Sequence, residues 1–233
     1  MQSQTERSLL LIPVHNYLEG VRRLKRFADS QLGSLVGDWH AVLIDNCSGP
    51  REASELRSMA GGQWSYVHQP VPKNLKANFE LGMRDGRKRI DPTVVMIWET
   101  DAVPDRATLQ AMLEVYREER GSSKLASVSP MYKWQGRWCY PTHRHWHTDP
   151  VYKKHAKWGE VTKVHAVPFV FSLWTPESLI NINGKGTEDF CPFLQLCRDW
   201  GVKLSNEGKL HLRLKQHSID HWGGGRMTRM TRR

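Results

Sequence analysis

Thr93-Val94-Val95-Met96-Ile97-Trp98-Glu99-Thr100-Asp101 is the stretch whose reading decides the fold. Val94 to Trp98 are apolar without a break, the pattern of a strand covered on both faces of an α/β sheet. Two acidic residues spaced i, i+2 follow as the strand gives out. Ala102-Val103-Pro104-Asp105 then turns the chain into a helix. Carboxylates at the C-terminal edge of such a strand lie where open α/β sheets bind ligands. Two readings fit this placement. Glu99 and Asp101 are hard oxygen ligands that hold a divalent cation against a diphosphate, or they are a solvated strand end ahead of a Pro-Asp helix start.

Working outward, the same arrangement recurs. Residues 9–14 read as a buried strand that leaves through His15-Asn16-Tyr17. Residues 18–32 follow with Leu18, Val21, Leu24, Ala28 and Leu32 on one face and Arg22, Arg23, Lys25 and Arg26 on the other, an amphipathic helix. Residues 41–44 form a second strand ending in Asp45-Asn46-Cys47-Ser48. A helix over 51–60, a strand over 64–67 and a helix over 74–89 complete the run to the stretch above. Strand and helix in alternation predict an α/β fold with a mostly parallel sheet and helices on both faces. Right-handed crossovers bring residues 13–16, 45–48 and 99–101 to one edge. That convergence points to a nucleotide or phosphate site more strongly than any single motif.

Residues 105–120 read as a helix and 125–131 as a strand. From 132 to 165 the period breaks down. Trp134, Trp138, Tyr140, Trp146, Tyr152 and Trp158 alternate there with Lys133, Arg137, Arg144, Lys153, Lys154 and Lys157, joined by His143, His145, His147 and His155. A long irregular segment in a compact domain is functional or disordered, and the aromatics argue against disorder. Strand character returns over 166–174, followed by a short helix over 176–182. A further helix opens at Gly186-Thr187-Glu188-Asp189 and stops at Gly201. Residues 202–204 and 210–214 are expected to pair as a hairpin through Asn206-Glu207-Gly208. The pattern predicts one domain over 1–222 and a flexible basic tail over 223–233, which begins with three glycines.

The net charge of +10 suggests an anionic partner, or serves solubility alone. The four cysteines form no CxxC pair, so neither a zinc ribbon nor a disulfide framework is expected. Reduced thiols and a cytoplasmic setting are the simple reading. No run approaches the ~20 apolar residues that a transmembrane helix needs. The apolar start, broken by Pro13, is too short for a signal peptide.

In this order the motifs resemble those of the family 2 glycosyltransferases, which have the GT-A fold. The family's opening Pro-x-x-Asn is matched by Pro13-Val14-His15-Asn16, and its nucleotide-binding strand end by Asp45-Asn46-Cys47-Ser48. Its Asn-bearing helix resembles residues 74–82, and its Asp-x-Asp resembles Glu99-Thr100-Asp101 with Pro104 following. Its Glu-Asp pair, then Arg and Gly, is matched by Glu188-Asp189, Arg198 and Gly201. The match covers roughly residues 8–220 and departs in two places, Asn46 for the second Asp of the nucleotide motif and Glu99 for the first of Asp-x-Asp.

The resemblance implies a donor half over about 8–120 and an acceptor half over about 121–222. It implies a nucleotide-sugar donor, most often a uridine diphosphate sugar. Asp45 would accept a hydrogen bond from the base, with Pro13, His15, Asn16, Ser48 and Thr100 lining the pocket. Lys76, Asn78 and Arg84 would contact the nucleotide, Lys76 and Arg84 at its diphosphate. Asp101, with Glu99, would hold Mn²⁺ or Mg²⁺ and offset the charge on the leaving group. His217 is the expected third ligand, with His211 and His221 as rivals; each of the three also reads as a surface or structural His. Asp189, supported by Glu188, would act as general base in a direct, inverting displacement. The alternative for Thr187-Glu188-Asp189 is a helix cap.

The acceptor is read from charge and aromatics. Cations for phosphates and rings for bases make a nucleic-acid footprint. A hydroxymethylated base in duplex DNA, flipped out for transfer, is the expected acceptor. A glycan, lipid-linked or protein hydroxyl is the alternative. A non-catalytic nucleic-acid-binding protein of the same fold is a second.

Overall fold

A computed structural model describes residues 6–134, 137–139, 151–180 and 193–221. Strand β1 (Arg7–Val14) is the axis of its sheet. Leu9, Leu10, Leu11 and Ile12 are all fully buried, so both faces of the strand are covered. Burial at roughly 1.5–3 kcal/mol per Leu or Ile makes this a costly place to introduce charge. On one side β1 pairs in parallel with β2 (Asp38–Asn46), in a register that sets Val14 beside Asp45. On the other it pairs in parallel with β4 (Val94–Trp98). Beyond β2 lies β3 (Trp64–Gln69), also parallel.

Helices cover both faces as the alternation predicts. α1 (Leu18–Leu35) buries Val21, Leu24, Ala28 and Leu32, the apolar stripe read from the sequence. α2 (Pro50–Ser58) adds Leu56 to the same core. The opposite core takes Phe79 and Met83 from α3 (Leu75–Gly86). The chain therefore leaves β1 over one face and enters β4 from the other, and a crevice opens between the two strand ends. α4 (Arg106–Glu119) is capped by Asp105, whose carboxylate accepts the Thr108 N–H at 2.6 Å. It packs beside α1, where Arg106 donates to Gln31 and Ser34.

The second half is mixed rather than parallel. It comprises β5 (Leu125–Trp134), β6 (Arg137–Cys139), β7 (Val151–His155), β8 (Gly159–Val164), β9 (Phe171–Trp174), α5 (Phe193–Asn206) and β10 (Leu210–His221). The sheet order is β3-β2-β1-β4-β9-β5-β10-β8-β7, with β6 paired to the end of β5. β9 runs antiparallel between β4 and β5, and β8 and β7 continue antiparallel beyond β10. The mostly parallel character holds for the first four strands only.

The structure corrects three sequence expectations. The described parts of 132–165 are strands apart from the turn at 156–158 and the bend at His165. Their period was hidden because β7 is an edge strand with little buried surface, so no apolar alternation is required of it. Besides the β8–β10 ladder, β7 and β8 are tied to α4 by Trp158, which is 9% exposed and donates from its indole to Glu114 at 2.6 Å. Burying an indole is worth roughly 4–6 kcal/mol. The nearby ion pair of Lys153 with Glu118, whose carboxylate is exposed, contributes about 0–1 kcal/mol, and His155 Nε2 lies 2.7 Å from the same carboxylate.

The other two corrections concern the C-terminal helix. α5 does not stop at Gly201 but passes through it. A Cβ on Gly201 would stand 2.4 Å from the Ala166 Cβ, so this glycine lets the helix approach the chain before β9. The expected hairpin is absent because residues 202–206 continue the helix. Gly208, at φ +80°, ends it in the left-handed form, with the Lys209 N–H returning to the Leu204 carbonyl.

His211 also belongs to this packing. It is fully buried, with Nδ1 2.7 Å from Ser127 Oγ and Nε2 3.2 Å from the Gly201 carbonyl. Both ring nitrogens are engaged in the core, which removes it as a metal ligand. Burial lowers its pKa to about 4, against the opposing pull of the Gly201 carbonyl. In the unfolded chain the ring takes up its proton near pH 6.5, but in the folded chain only near 4. Stability should therefore decline as pH falls from about 6.5 to 4, by roughly 3 kcal/mol from this group. Urea midpoints measured across that range should fall, and His211→Gln should flatten that part of the slope. An unchanged slope in the variant would refute the assignment.

Candidate active site

The strand ends after β1 and β2 are tied together by side chains bonding to backbone. Asn16 (φ 55°) and Cys47 (φ 63°) both adopt the left-handed conformation, which costs a non-glycine residue about 1–2 kcal/mol. The surroundings over-determine them. The Asn16 N–H donates to Ser48 Oγ at 3.0 Å, and Asn16 Oδ1 accepts the Gly49 N–H at 2.8 Å. His15 Nδ1 lies 2.9 Å from the Asn46 carbonyl. Asn46 in turn clamps Lys73 ahead of α3, accepting its N–H at 2.8 Å and donating to its carbonyl at 2.9 Å. Three loops thus become one rigid edge, and strain of this kind concentrates at functional sites.

Asp45 is the hub of that edge. Its side chain is 0% exposed. One oxygen accepts the Ser48 N–H at 2.9 Å; the other accepts the Tyr66 hydroxyl at 2.7 Å and meets His68 Nδ1 at 2.9 Å. Burial alone would raise its pKa, but the bonds from Ser48, Tyr66 and His68 outweigh it and hold the carboxyl below the usual range. Tyr66 is correspondingly pushed up to about 12 by burial and by Asp45, so it remains a donor. Asp45, expected to accept a hydrogen bond from the base, is thus fully buried, with partners on both oxygens. A sealed carboxylate engaged in this way organises its neighbours.

The acidic turn stands at the end of β4. The Glu99 N–H donates to the Val170 carbonyl at 2.8 Å, and the Trp98 indole to the Ala102 carbonyl at 2.6 Å. Glu99 and Asp101 are half-buried, and Thr100 between them is buried. The turn rests on α1 at Gly20, where an added Cβ would stand 2.2 Å from the Thr100 carbonyl. Only a residue without a side chain admits that approach, so Gly20 fixes the height of both carboxylates.

Among the described residues no trio of His, Cys, Asp and Glu side chains is preformed around a metal. The donors still suit Mg²⁺ or Mn²⁺, which take one or two carboxylates from a protein and the rest from phosphates and water. His217 lies in the irregular stretch of β10 between the paired Leu214 and Ser218. Its ring packs edge-on to Trp158 at 5.4 Å. Burial lowers its pKa, and the charge of Asp105 partly offsets this. Because β10 runs parallel to β5, on the far side of the antiparallel β9 from β4, His217 faces the same edge as Asp101. His221 ends β10 opposite Trp134.

The remaining expected residues divide. Pro13, half-buried, pairs with Ile44 one step below the edge. Asn78 is buried and accepts from Gln69 at 3.3 Å, so it braces α3 against β3. Lys76 is in the first turn of α3 at the same edge, 3.6 Å from Glu80. Arg84 is not brought to the site: it is exposed, roughly 12 Å further along the helix than Lys76. Glu188 and Asp189, the expected base and its support, lie outside the described residues, as does the tail over 223–233. Sequence reading passed over Gly20, Tyr66 and His68. The last two were legible in principle, because residues two apart on a strand share a face.

No protein-family model and no curated protein matches this sequence. Solved structures do match in fold. GalNAc-T7, solved with UDP, GalNAc and Mn²⁺, superposes with a TM-score of 0.66 at 10% identity over 95% of this chain. The mannosyltransferase PcManGT from Pyrobaculum calidifontis, solved with GDP-Man and Mn²⁺, gives 0.62 at 14% identity over 97%. S. aureus TarS 1-349 gives 0.63 at 12% identity over 93%. The chain spans 44%, 59% and 60% of these structures respectively. At such identities the likeness establishes the fold, a mixed α/β architecture of the GT-A type.

Gly20→Ala should push the Thr100 turn outward. Mn²⁺ affinity, read by calorimetry, should drop at least tenfold for a stability cost of about 1–3 kcal/mol. Equal Mn²⁺ affinity in the two proteins would break the link between Gly20 and the acidic turn.

Proposed function

We propose that this chain is a metal-dependent glycosyltransferase that moves a sugar from a nucleotide-sugar donor to an acceptor hydroxyl. The observation that carries the reading is the convergence of His15-Asn16, Asp45–Ser48 and Glu99–Asp101 on one edge of a GT-A sheet. A uridine diphosphate sugar is the donor we favour, from the resemblance of the strand-end motifs.

Asp101 and Glu99 would hold Mn²⁺ or Mg²⁺, with His217 as the third protein ligand. The bound ion supplies charge neutralisation for the diphosphate as it leaves. Lys76 and the left-handed loops at Asn16 and Cys47 line the same edge and position the donor's phosphates. Asp189 takes the proton of the acceptor hydroxyl as that oxygen attacks the anomeric carbon, and Glu188 supports it. A single base without an enzyme nucleophile gives inversion. Residues 1–222 would act as one domain, with the donor held by the first half and the acceptor by the second.

For the acceptor, the charge of +10 favours a hydroxymethylated base in duplex DNA. A specific observation favours the alternative, a glycan, lipid-linked or protein hydroxyl. Lys153, Lys157 and the imidazole of His155, all in the aromatic segment, already face Glu114, Glu118 and Glu119 of α4. No helix among the described residues is long and apolar enough to cross a membrane.

The test is mass spectrometry of hydroxymethylated duplex DNA and of glycan and peptide acceptors, each incubated with a panel of nucleotide sugars and Mn²⁺. A hexose or pentose mass shift identifies donor and acceptor together. Asp101→Ala and Asp189→Ala should each lower transfer by at least 100-fold, a loss typical of removed electrostatic or acid–base catalysis. Full transfer by both variants would overturn the assignment. Binding of unmodified duplex DNA without transfer would favour a non-catalytic nucleic-acid-binding protein.

A further inference from the structure

We infer that His68, held in place by the buried carboxylate of Asp45, is the group that reads the nucleobase, and that it selects bases carrying a ring N–H. The inference rests on the nucleotide-sugar reading above and adds a residue and a base class to it. It begins from the inaccessibility of Asp45, which presents no surface to a ligand and accepts from Ser48, Tyr66 and His68.

The sheet register places His68 directly beside Asp45, and Asp45 directly beside Val14. His68 is thus level with the ends of β1 and β2 and is the penultimate residue of β3. Its side chain is 35% exposed, while its partner is sealed. Tyr66, two residues earlier on the same face, stacks on the His68 ring at 6.3 Å with planes 14° apart. The Arg57 guanidinium lies 5.5 Å from the Tyr66 ring centre. The imidazole is therefore fixed by a hydrogen bond at one nitrogen and a stacked ring alongside.

The hydrogen bond also assigns the tautomer. An ionised carboxylate only accepts, so the hydrogen between His68 and Asp45 belongs to Nδ1. In the neutral ring Nε2 is then the lone-pair nitrogen and the ring's other polar atom, on a side chain that is 35% exposed. It is suited to accept an N–H. Uracil offers one at N3 and guanine at N1; cytosine and adenine have no ring N–H to give. Asp45 is accordingly a positioning residue, acting on the base through His68.

The experiment is calorimetric titration of UDP, GDP, CDP, ADP and inorganic diphosphate, each with Mn²⁺, into wild type, His68→Ala and His68→Gln. Wild type should bind UDP or GDP at least tenfold more tightly than CDP and ADP. His68→Ala should weaken the preferred nucleotide about tenfold and erase the preference, while diphosphate affinity stays unchanged. His68→Gln, whose side-chain carbonyl can accept the same N–H, should recover part of the loss. Melting temperatures of the variants, expected to fall modestly because Asp45 keeps Ser48 and Tyr66, together with the retained diphosphate affinity, separate lost recognition from lost folding. An unchanged preference in His68→Ala would overturn the inference and leave the nucleotide-sugar reading standing. A wild type that binds diphosphate but no nucleotide would overturn both.

Discussion

The parallel register of β1 between β2 and β4 is the constraint on which the rest of the molecule depends. It is backbone pairing, driven by four consecutive side chains that must all leave water. Once Val14 lies beside Asp45 and Leu11 beside Ile97, the loops that follow have no freedom about which edge they share. Polar and acidic groups collect there because the strands have run out, not because those groups attract one another.

The edge is stiffened in two different ways. After β1 and β2, short polar side chains bond to neighbouring backbone and hold two left-handed residues that would relax in an isolated loop. After β4, the fit is steric: the Thr100 carbonyl meets α1 where Gly20 has no side chain. The hydrogen bonds set orientation on the base side of the crevice, and the close contact sets height on the acidic side. Both leave the groups facing the ligand fixed before anything binds, so less ordering has to be done on binding.

The outer strands of the second half have, besides their ladder, one large contact with the helix layer. Trp158 joins the β7–β8 pair to α4 and touches His217 in the irregular part of β10. One buried indole therefore connects the outer strands with a candidate ligand at the site. The lysines and histidine around it are spent on α4's glutamates. A count of basic residues overstated how much positive charge this segment offers to a polyanion.

The sequence by itself determined the first four strands, the apolar stripe of α1, the Pro-Asp start of the helix after β4, and the edge where the motifs meet. Each of these is a local pattern of period or of polarity, and such patterns survive without knowledge of partners. Only the tertiary structure decided the roles of individual groups. Asp45 read as a ligand contact and proved to be sealed; His211 read as a metal candidate and proved to be core. Gly201 read as a stop and proved to be a contact, and Gly20 carried no signal at all. The physical reason is common to all four. Burial, close approach and hydrogen-bond partners are set by residues distant in the chain: Tyr66 and His68 for Asp45, Ser127 for His211, Ala166 for Gly201 and Thr100 for Gly20.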